Sequence, residues 1–333
     1  MDHVAVSIII PVYNVEKYIE RCVRSLFEQT LESIEYIFVN DHTPDQSLEI
    51  LHRVMALYPH RIAQVKILNH ESNRGVAVAR NTGLMHATGK YIGWVDSDDW
   101  VDHEMFDEMY QTAEISDSDI VWCDFYTCHS DNEKEWKKHR QLCNEDSMDL
   151  VRGLLYGQLH GSLCNSLVKS KLYKENDILF SSDTNLMEDK LVSIQLRYYA
   201  QKCTYLPYAY YFYNRMNTQS LTLSPANEVK NLNDGIKSMQ SIISFLEKNE
   251  KGIDFSKDFI HAKLVFKDYY FHSFTLQGYH AWKNVFPEVN EFFLTNPSTP
   301  LKDRLIGWMI MNDYWRLLKT GIKLRNFVKR FGK

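Results

Sequence analysis

An α/β fold is predicted for this chain: a mostly parallel sheet flanked by helices, followed by a C-terminal helical appendage. Three observations predict it. Apolar runs of strand length alternate with stretches of helical periodicity through the first 125 residues. Each run stops abruptly at polar or acidic residues, as buried parallel strands do at their carboxyl ends. From Pro225 onward the chain turns helical and aromatic.

The elements follow in order. Val6 to Val12 is an apolar run of buried-strand length, and Ile19, Cys22, Val23, Leu26 and Phe27 then repeat at helical spacing. A second strand, Glu35 to Val39, ends at Asn40-Asp41. Thr43-Pro44-Asp45-Gln46 reads as an N-cap, a proline at the first helical position and a glutamine placed to close a capping box. The helix it opens is expected to bury Leu48, Leu51, Met55 and Tyr58. Strand Val65 to Asn69, a small-residue helix from Gly75 to His86 and a strand running through Tyr91-Ile92-Gly93-Trp94-Val95 into Asp96 repeat the unit. Such alternation means a parallel sheet wrapped by helices. Ile120 to Tyr126 adds a strand, and the charged stretch from Ser130 to Arg140 is expected to be a solvent-exposed excursion.

Composition narrows the function. At 333 residues the chain exceeds one typical domain, so a large domain with an appended part is expected. With 38 basic against 43 acidic residues it carries no whole-chain nucleic-acid signature. Cys22, Cys123, Cys128, Cys143, Cys164 and Cys203 form no Cys-x-x-Cys pair, and no signal peptide precedes the strand at Val6. Reduced thiols and a cytoplasmic location are expected. No apolar run approaches the roughly 20 residues that span a bilayer.

Asp96-Ser97-Asp98-Asp99 is the most informative stretch, because an apolar strand empties directly into three carboxylates. Hard oxygen ligands of this kind hold Mg2+ or Mn2+, commonly one or two carboxylates supplemented by substrate phosphates. Asp96, Asp98 and Asp99 together are therefore candidates for holding a metal, and a metal-bound phosphorylated substrate is expected. The competing reading makes Asp98 and Asp99 the acids that start the next helix.

In a parallel sheet the residues just past each strand share one crevice. Here these are Pro11, Val12, Tyr13 and Asn14; Asn40 and Asp41; Asn73 and Gly75; and Asp96 to Asp99. A Tyr13 face can cover a base, Asp41 can accept an imide N–H, and Gly75 lets backbone approach a ligand. Equally open are Tyr13 as a core aromatic and Asp41 as a turn acid. Arg80 lies in a helix otherwise built of Val76, Ala77, Val78 and Ala79. A salt bridge to the Asp96 region and a phosphate or nucleotide contact both remain open for it.

Five motifs then stand in order over about a hundred residues: Val6 through Asn14; the strand ending in Asp41; Asn73-Arg74-Gly75 with Ala79-Arg80-Asn81-Thr82-Gly83; Gly89-Lys90-Tyr91-Ile92; and Asp96-Ser97-Asp98-Asp99. In these the chain resembles family 2 glycosyltransferases, inverting nucleotide-sugar-dependent enzymes with a Rossmann-like GT-A fold. The resemblance implies that Pro11, Tyr13 and Asp41 hold the base and that Arg80 supports the nucleotide. It also implies that Asp96 faces the ribose and phosphates and Asp98 ligates the metal, with Val12, Asn73, Gly75 and Ser97 completing the nucleotide-sugar site. A catalytic domain over 1–224 is expected, divided into a nucleotide-sugar half (1–125) and an acceptor-side half (126–224), before a helical region over 225–333. One motif departs from the family pattern Asp-Asp-Gly-Ser-Thr-Asp, here Asn40-Asp41-His42-Thr43-Pro44-Asp45. His42 in place of glycine puts the local backbone, and with it the base preference, in question.

Inverting transfer needs a carboxylate to remove the proton of the attacking hydroxyl while a metal stabilises the departing diphosphate. Leu186-Met187-Glu188-Asp189-Lys190-Leu191 heads a helical run and resembles the family's Glu-Asp motif, in which the Asp is the base. Asp189 is the candidate. Read without the resemblance, Glu188 and Asp189 are acids complementing a helix N-terminus.

Tyr210-Tyr211-Phe212-Tyr213-Asn214-Arg215 with Gln219-Ser220-Leu221-Thr222 resembles the strand and loop that close over the donor diphosphate, which gives Arg215 a phosphate-facing role. Apolar packing explains the aromatics equally well. The processive-synthase signature Gln-x-x-Arg-Trp is absent, which points to single additions. His160 before Gly161-Ser162 either lines the acceptor pocket or is structural.

After Asp313 no acid appears, while Arg316, Lys319, Lys323, Arg325, Lys329, Arg330 and Lys333 accumulate. Leu324, Phe327, Val328 and Phe331 follow i, i+3, i+4, i+7 spacing, the layout of an interfacial helix on an anionic membrane. An ordinary basic terminal helix that packs or forms a homodimer is the alternative.

The expected activity is hexosyl transfer from a nucleotide sugar, a UDP-sugar by preference, to a glycan or lipid-linked glycan in cell-surface polysaccharide synthesis. The place of action is the cytoplasm or the inner face of the membrane. A nucleotidyltransferase acting on a sugar phosphate would carry a Gly-rich basic loop after its first strand, where this chain reads Pro11-Val12-Tyr13-Asn14-Val15-Glu16-Lys17. A non-catalytic nucleotide-sugar-binding module would be expected to have lost Asp98 or Asp189, and both are present.

Overall fold

The computed structural model describes residues 4–143, 145–183, 187–217, 228–249, 252–297 and 299–331. Two compact units divide it, one of residues 1–154 and 158–245, the other of 155–157 and 246–333. The expected boundary at 224/225 lies outside the described residues.

The first unit is built on a nine-stranded sheet. In chain order the strands are β1 (Val6–Val12), β2 (Ile34–Asn40), β3 (Val65–Asn69), β4 (Tyr91–Trp94), β5 (Trp100–Val101), β6 (Ile120–Cys128), β7 (Lys137–His139), β8 (Ser166–Lys169) and β9 (Cys203–Asn214). They lie in the order β3-β2-β1-β4-β8-β6-β9-β5, with β7 beside β6. The first four are mutually parallel, and antiparallel β8 hands over to a mixed half in which β6 and β9 run parallel. The register pairs Val12 with Asn40 and Asn40 with Asn69, so these carboxyl ends stand level. Trp94 pairs with Ile9, so β4 stops short of the end of β1. The chain after Trp94 therefore leaves the sheet short of Val12, and Asp96 to Asp99 line the crevice together with Val12 and Tyr13.

Helices α1 (Ile19–Phe27), α2 (Ser47–Met55), α3 (Val76–His86), α4 (Met105–Ser116), α5 (Ser147–Leu155), α6 (Ser170–Glu175) and α7 (Glu188–Tyr199) follow in chain order. The small residues of α3 have a packing reason. A Cβ on Gly83 would sit 2.3 Å from Ile9 Cγ2, so a larger residue would push this helix off the sheet and displace Arg80 with it. The buried isoleucines of β1 each contribute roughly 1.5–3 kcal/mol by leaving water.

Two expectations change. Helix α2 begins at Ser47, not beside Thr43, and Gln46 makes no side-chain cap. Asp45 Oδ1 instead accepts from the Ser47 amide (3.1 Å) and the Thr43 hydroxyl (2.6 Å), a local bond that competes with helix and holds residues 43–46 as a turn. The helix buries Ser47, Leu51 and Val54, while Leu48, Met55 and, past its end, Tyr58 are half-buried. The stretch from Ser130 to Arg140 is not wholly an excursion. Its β7 pairs with β6, and the Trp136 ring meets Phe212 at 5.2 Å. Phe212 stacks between Trp100 and Tyr126, and the Arg21 guanidinium lies 3.3 Å from the Trp100 ring centre.

After α8 (Glu228–Lys248), the second unit contains α9 (Ser256–Phe271), α10 (Leu276–Asn284), α11 (Asn290–Thr295), α12 (Leu301–Met311) and α13 (Trp315–Phe331). Phe271, Trp282 and Phe293 form its aromatic centre. Lys267 is buried there, its ammonium donating to the Val285 carbonyl at 2.5 Å, and burial pushes its pKa down to about 8. Among the described residues, no helix is long and apolar enough to cross a membrane.

Candidate active site

The strand ends open into a cleft of about 770 Å³ within the first unit. Pro11, Val12, Tyr13, Asp41, Asn73, Gly75, Arg80, Asp96, Ser97, Asp98, Asp189 and Arg215 all line it, together with His160. Residues far apart in sequence thus line one cleft, with Tyr13 near β1 at one pole and Met187 ahead of α7, 174 positions later, at the other.

At the first pole, Tyr13 is exposed to the cleft and is not a core aromatic. Asp41 is buried and caps a loop. Its Oδ1 accepts from the Arg74 amide and its Oδ2 from the Gly75 amide, each at 2.8 Å. Gly75 takes φ +88° there, a conformation that favours glycine. His42 adopts φ +58°, so the residue replacing the family's glycine still takes the left-handed backbone.

His70, which sequence reasoning passed over, completes this corner. Its Nδ1 lies 2.7 Å from Asp41 Oδ1 and its Nε2 lies 2.9 Å from the Thr82 hydroxyl. The ring thus bridges the two, its Nδ1–H donating to the Asp41 carboxylate while Nε2 meets the Thr82 hydroxyl. Its position one residue past β3 was the available signal.

Arg80 resolves into an ion-pair clamp. Nη1 donates to Glu188 Oε1 at 2.7 Å and Nη2 to Asp96 Oδ1 at 3.0 Å. Burial works against its charge, but the Asp96 and Glu188 carboxylates more than offset this and raise its pKa. One guanidinium thus ties α3, the end of β4 and the start of α7 together. Glu188 is consumed by this contact and does more than complement a helix dipole.

The acids after β4 do not start a helix, because Trp100–Val101 is a strand and α4 begins only at Met105. Asp99 is buried and committed, its Oδ2 accepting from the Tyr211 hydroxyl at 2.5 Å and its Oδ1 from the Asn214 amide at 2.7 Å. Asp98 opens into the cleft and accepts from Asn217 Nδ2 at 2.8 Å. Burial, then the charge of Asp96, pushes the Asp98 pKa up to about 6. This is a locus of excess negative charge made of hard oxygens, which suits a divalent cation completed by diphosphate oxygens. Asp102, His103 and Glu104 also lie within ligating distance of one another, but outside the cleft and largely exposed.

At the opposite pole, α7 starts from Met187 at φ +62°, a left-handed conformation that is strained for a non-glycine residue. Asp189 accepts from the Lys190 amide at 2.7 Å. Burial, then the neighbouring Glu188, pushes its pKa up to about 7, while Arg80 opposes. Burial also lowers Lys190 to about 8. His160 lines the cleft with an exposed side chain and meets the Phe125 ring at 4.8 Å. The Arg215 amide donates to Cys128, and its guanidinium lies 5.6 Å from the Tyr213 ring centre. Gln219-Ser220-Leu221-Thr222, and Leu186 of the Glu-Asp segment, lie outside the described residues.

A Rossmann-like sheet with acids at the end of β4 and a buried acid heading α7 defines the class of GT-A nucleotide-sugar folds. The model of glycosyl transferase family 2 matches residues 7–176, and the chain belongs to that family. It is similar to the uncharacterized glycosyltransferase EpsJ of Bacillus subtilis strain 168, 36% identical over 66% of this chain and 63% of EpsJ. The chain thus spans less than two thirds of that relative. It is also 29% identical to the poly(ribitol-phosphate) beta-glucosyltransferase of Bacillus spizizenii, over 66% of this chain and 34% of that one. Among solved structures, S. aureus TarS 1–349 in complex with UDP superposes with a TM-score of 0.66 at 19% identity, covering 99% of this chain and 92% of TarS 1–349. That likeness carries the GT-A fold. TarS has also been solved with UDP-GlcNAc.

Proposed function

We propose that this chain moves a single hexose from a nucleotide-diphosphate sugar, a UDP-sugar by preference, to a hydroxyl of a glycan or lipid-linked glycan, with inversion. The observation that carries the reading is the presence, in one cleft, of strand-end acids suited to a cation and a half-buried carboxylate, Asp189, whose pKa is raised toward neutral. UDP and UDP-GlcNAc in TarS support the donor class, and the glucosyltransferase named for poly(ribitol-phosphate) supports a cell-surface acceptor. The expected setting is the cytoplasmic face of the membrane.

In this reading the Tyr13 ring covers the base, and Pro11, Val12 and Asn73 shape its slot beside Asp41. His70 and the amides of Arg74 and Gly75 fix the Asp41 carboxylate. Asp96, fixed by Arg80, and Ser97 face the ribose and phosphates, and Arg215 approaches the diphosphate from β9. Mn2+ or Mg2+, held by Asp98 with Asp96, would neutralise the charge developing on the departing nucleoside diphosphate. Asp189 takes the acceptor proton. With a pKa near 7 it is substantially ionised at neutral pH yet basic enough to hold the proton in the transition state. Glu188 stays paired with Arg80 and so is not available as a competing base.

The test is incubation with Mn2+ and a panel of nucleotide sugars, with and without glycan acceptors, following nucleoside diphosphate release. Acceptor-dependent release of UDP supports the proposal. Pyrophosphate release from a nucleoside triphosphate and a sugar phosphate would establish a nucleotidyltransferase instead.

A further inference from the structure

Eight of the sixteen large hydrophobic side chains that stand exposed among the described residues fall between Phe292 and Phe327. Two helices of the second unit carry most of them, and in both the exposed apolar positions are separate from the packed ones. In α12, Asp303, Gly307 and Ile310 are buried at i, i+4, i+7 spacing. Leu301, Leu305 and Trp308 repeat that spacing two residues earlier, about 200° around the helix, and are between 46% and 80% exposed. A helix that packs on one side has no energetic reason to carry an apolar stripe on the other unless something covers it.

Helix α13 has the same construction. Leu318 is buried, and Trp315, Ile322 and Arg325 are half-buried beside it; the Arg325 guanidinium lies 3.4 Å from the Phe274 ring centre. Leu317 and Leu324, two turns apart on another side, are 60% or more exposed, as is Phe327. Val328 and Phe331 continue the Leu317–Leu324 spacing in the sequence. The Trp308 and Tyr314 rings stack at 5.2 Å where the two helices meet, so the stripes adjoin.

The charge around this surface selects its occupant. From Trp315 to the end of the chain there are seven Lys or Arg residues and no acid, in a chain of net charge −5. Arg316, Lys319 and Lys323 recur on one side of α13, beside the apolar stripe, and all are exposed. A second copy of this face would bring like charges together, whereas an anionic surface complements it. Apolar side chains including a tryptophan, bordered by lysine and arginine, are the composition of helices that lie in a lipid headgroup layer.

We propose that α12 and α13 together form a docking surface for an anionic lipid bilayer. Leu301, Leu305, Trp308, Leu317, Leu324 and Phe327 enter the boundary between headgroups and acyl chains, and the basic residues of α13 lie among the headgroups. The inference does not depend on the transferase reading.

The full-length chain is sedimented with vesicles of phosphatidylcholine alone and of phosphatidylcholine with phosphatidylglycerol. Binding is expected to the anionic vesicles, weakening as salt shortens the Debye length. Lys319→Gln with Lys323→Gln should weaken it roughly 10- to 30-fold, the combined contribution of two basic residues at such a surface. Leu305→Ser with Trp308→Ser, in the helix that lacks the basic run, should weaken it at least about tenfold, since the apolar area entering the bilayer falls. All four positions are exposed or nearly so, and circular dichroism checks that each variant keeps its helices. Wild-type binding by the α12 variant would overturn the two-helix surface. Salt-independent binding, or lipid-free self-association that the same substitutions abolish, would overturn the lipid as its occupant.

Discussion

Asp41 and Asp96 differ from Asp189 in how the protein treats them. Asp41 is gripped by two loop amides and His70, and Asp96 by the Arg80 guanidinium, so several elements define where each carboxylate stands. Asp189 accepts from the adjoining Lys190 amide, lies half-buried beside Glu188, and has its pKa raised to about 7. Donors from several elements make a carboxylate a fixed binding group, whereas desolvation beside a like charge makes Asp189 a proton acceptor near neutral pH. Arg80 joins the two kinds, because its other nitrogen neutralises Glu188 and leaves Asp189 as the poised member of the Glu-Asp pair.

Substitutions that separate binding from chemistry probe this contrast. The largest effect is expected from Asp98→Asn, which removes the charge that opposes a divalent ion and should abolish Mn2+-dependent donor binding and turnover with it. Calorimetric donor binding that keeps its Mn2+ dependence would place the metal elsewhere. Asp189→Asn should lower kcat by roughly 10²- to 10⁴-fold, the usual contribution of a positioned base, with donor Kd nearly unchanged. A comparable loss of donor affinity would move Asp189 to the binding side of the comparison.

A smaller effect is expected at the corner behind Asp41. His70→Ala removes one donor to a buried carboxylate that keeps two others, so donor KM should rise about tenfold while kcat holds, the value of a hydrogen bond to a charged group. His70→Asn keeps a donor near the Nδ1 position and should recover most of the loss. Equal losses in KM and kcat, without recovery by Asn, would show that His70 supports the fold and not the donor site.

The contrast also marks what was legible in the sequence. Val6–Val12, the small-residue helix carrying Arg80 and the strand feeding Asp96 could be read because apolar periodicity is a local signal. The level strand ends then followed from parallel topology, which is why residues from Pro11 to Asp98 fall into one cleft. Helix α2 was misread because Asp45 outcompetes the predicted Thr43 cap with a side-chain bond that propensity does not distinguish. Trp136 was lost among charges, where a single aromatic leaves no period. The clamp between Arg80 and Glu188 joins residues 108 apart, and no local pattern connects them. The same holds for the grip of Asn214 and Asn217 on the acids after β4. Sequence reasoning selected Asp189 by resemblance, but its raised pKa depends on burial and on Glu188, which only the folded chain supplies.

The pH dependence of kcat at saturating donor, acceptor and Mn2+ tests the central claim most directly. A base must be deprotonated to act, and the Asp189 pKa is raised, so activity is lost as pH falls through it. The expected profile climbs about tenfold per pH unit below about 7 and levels above it. A profile that is flat through that range, or one that leaves the rising limb unchanged in the residual activity of Asp189→Asn, would contradict Asp189 as the base.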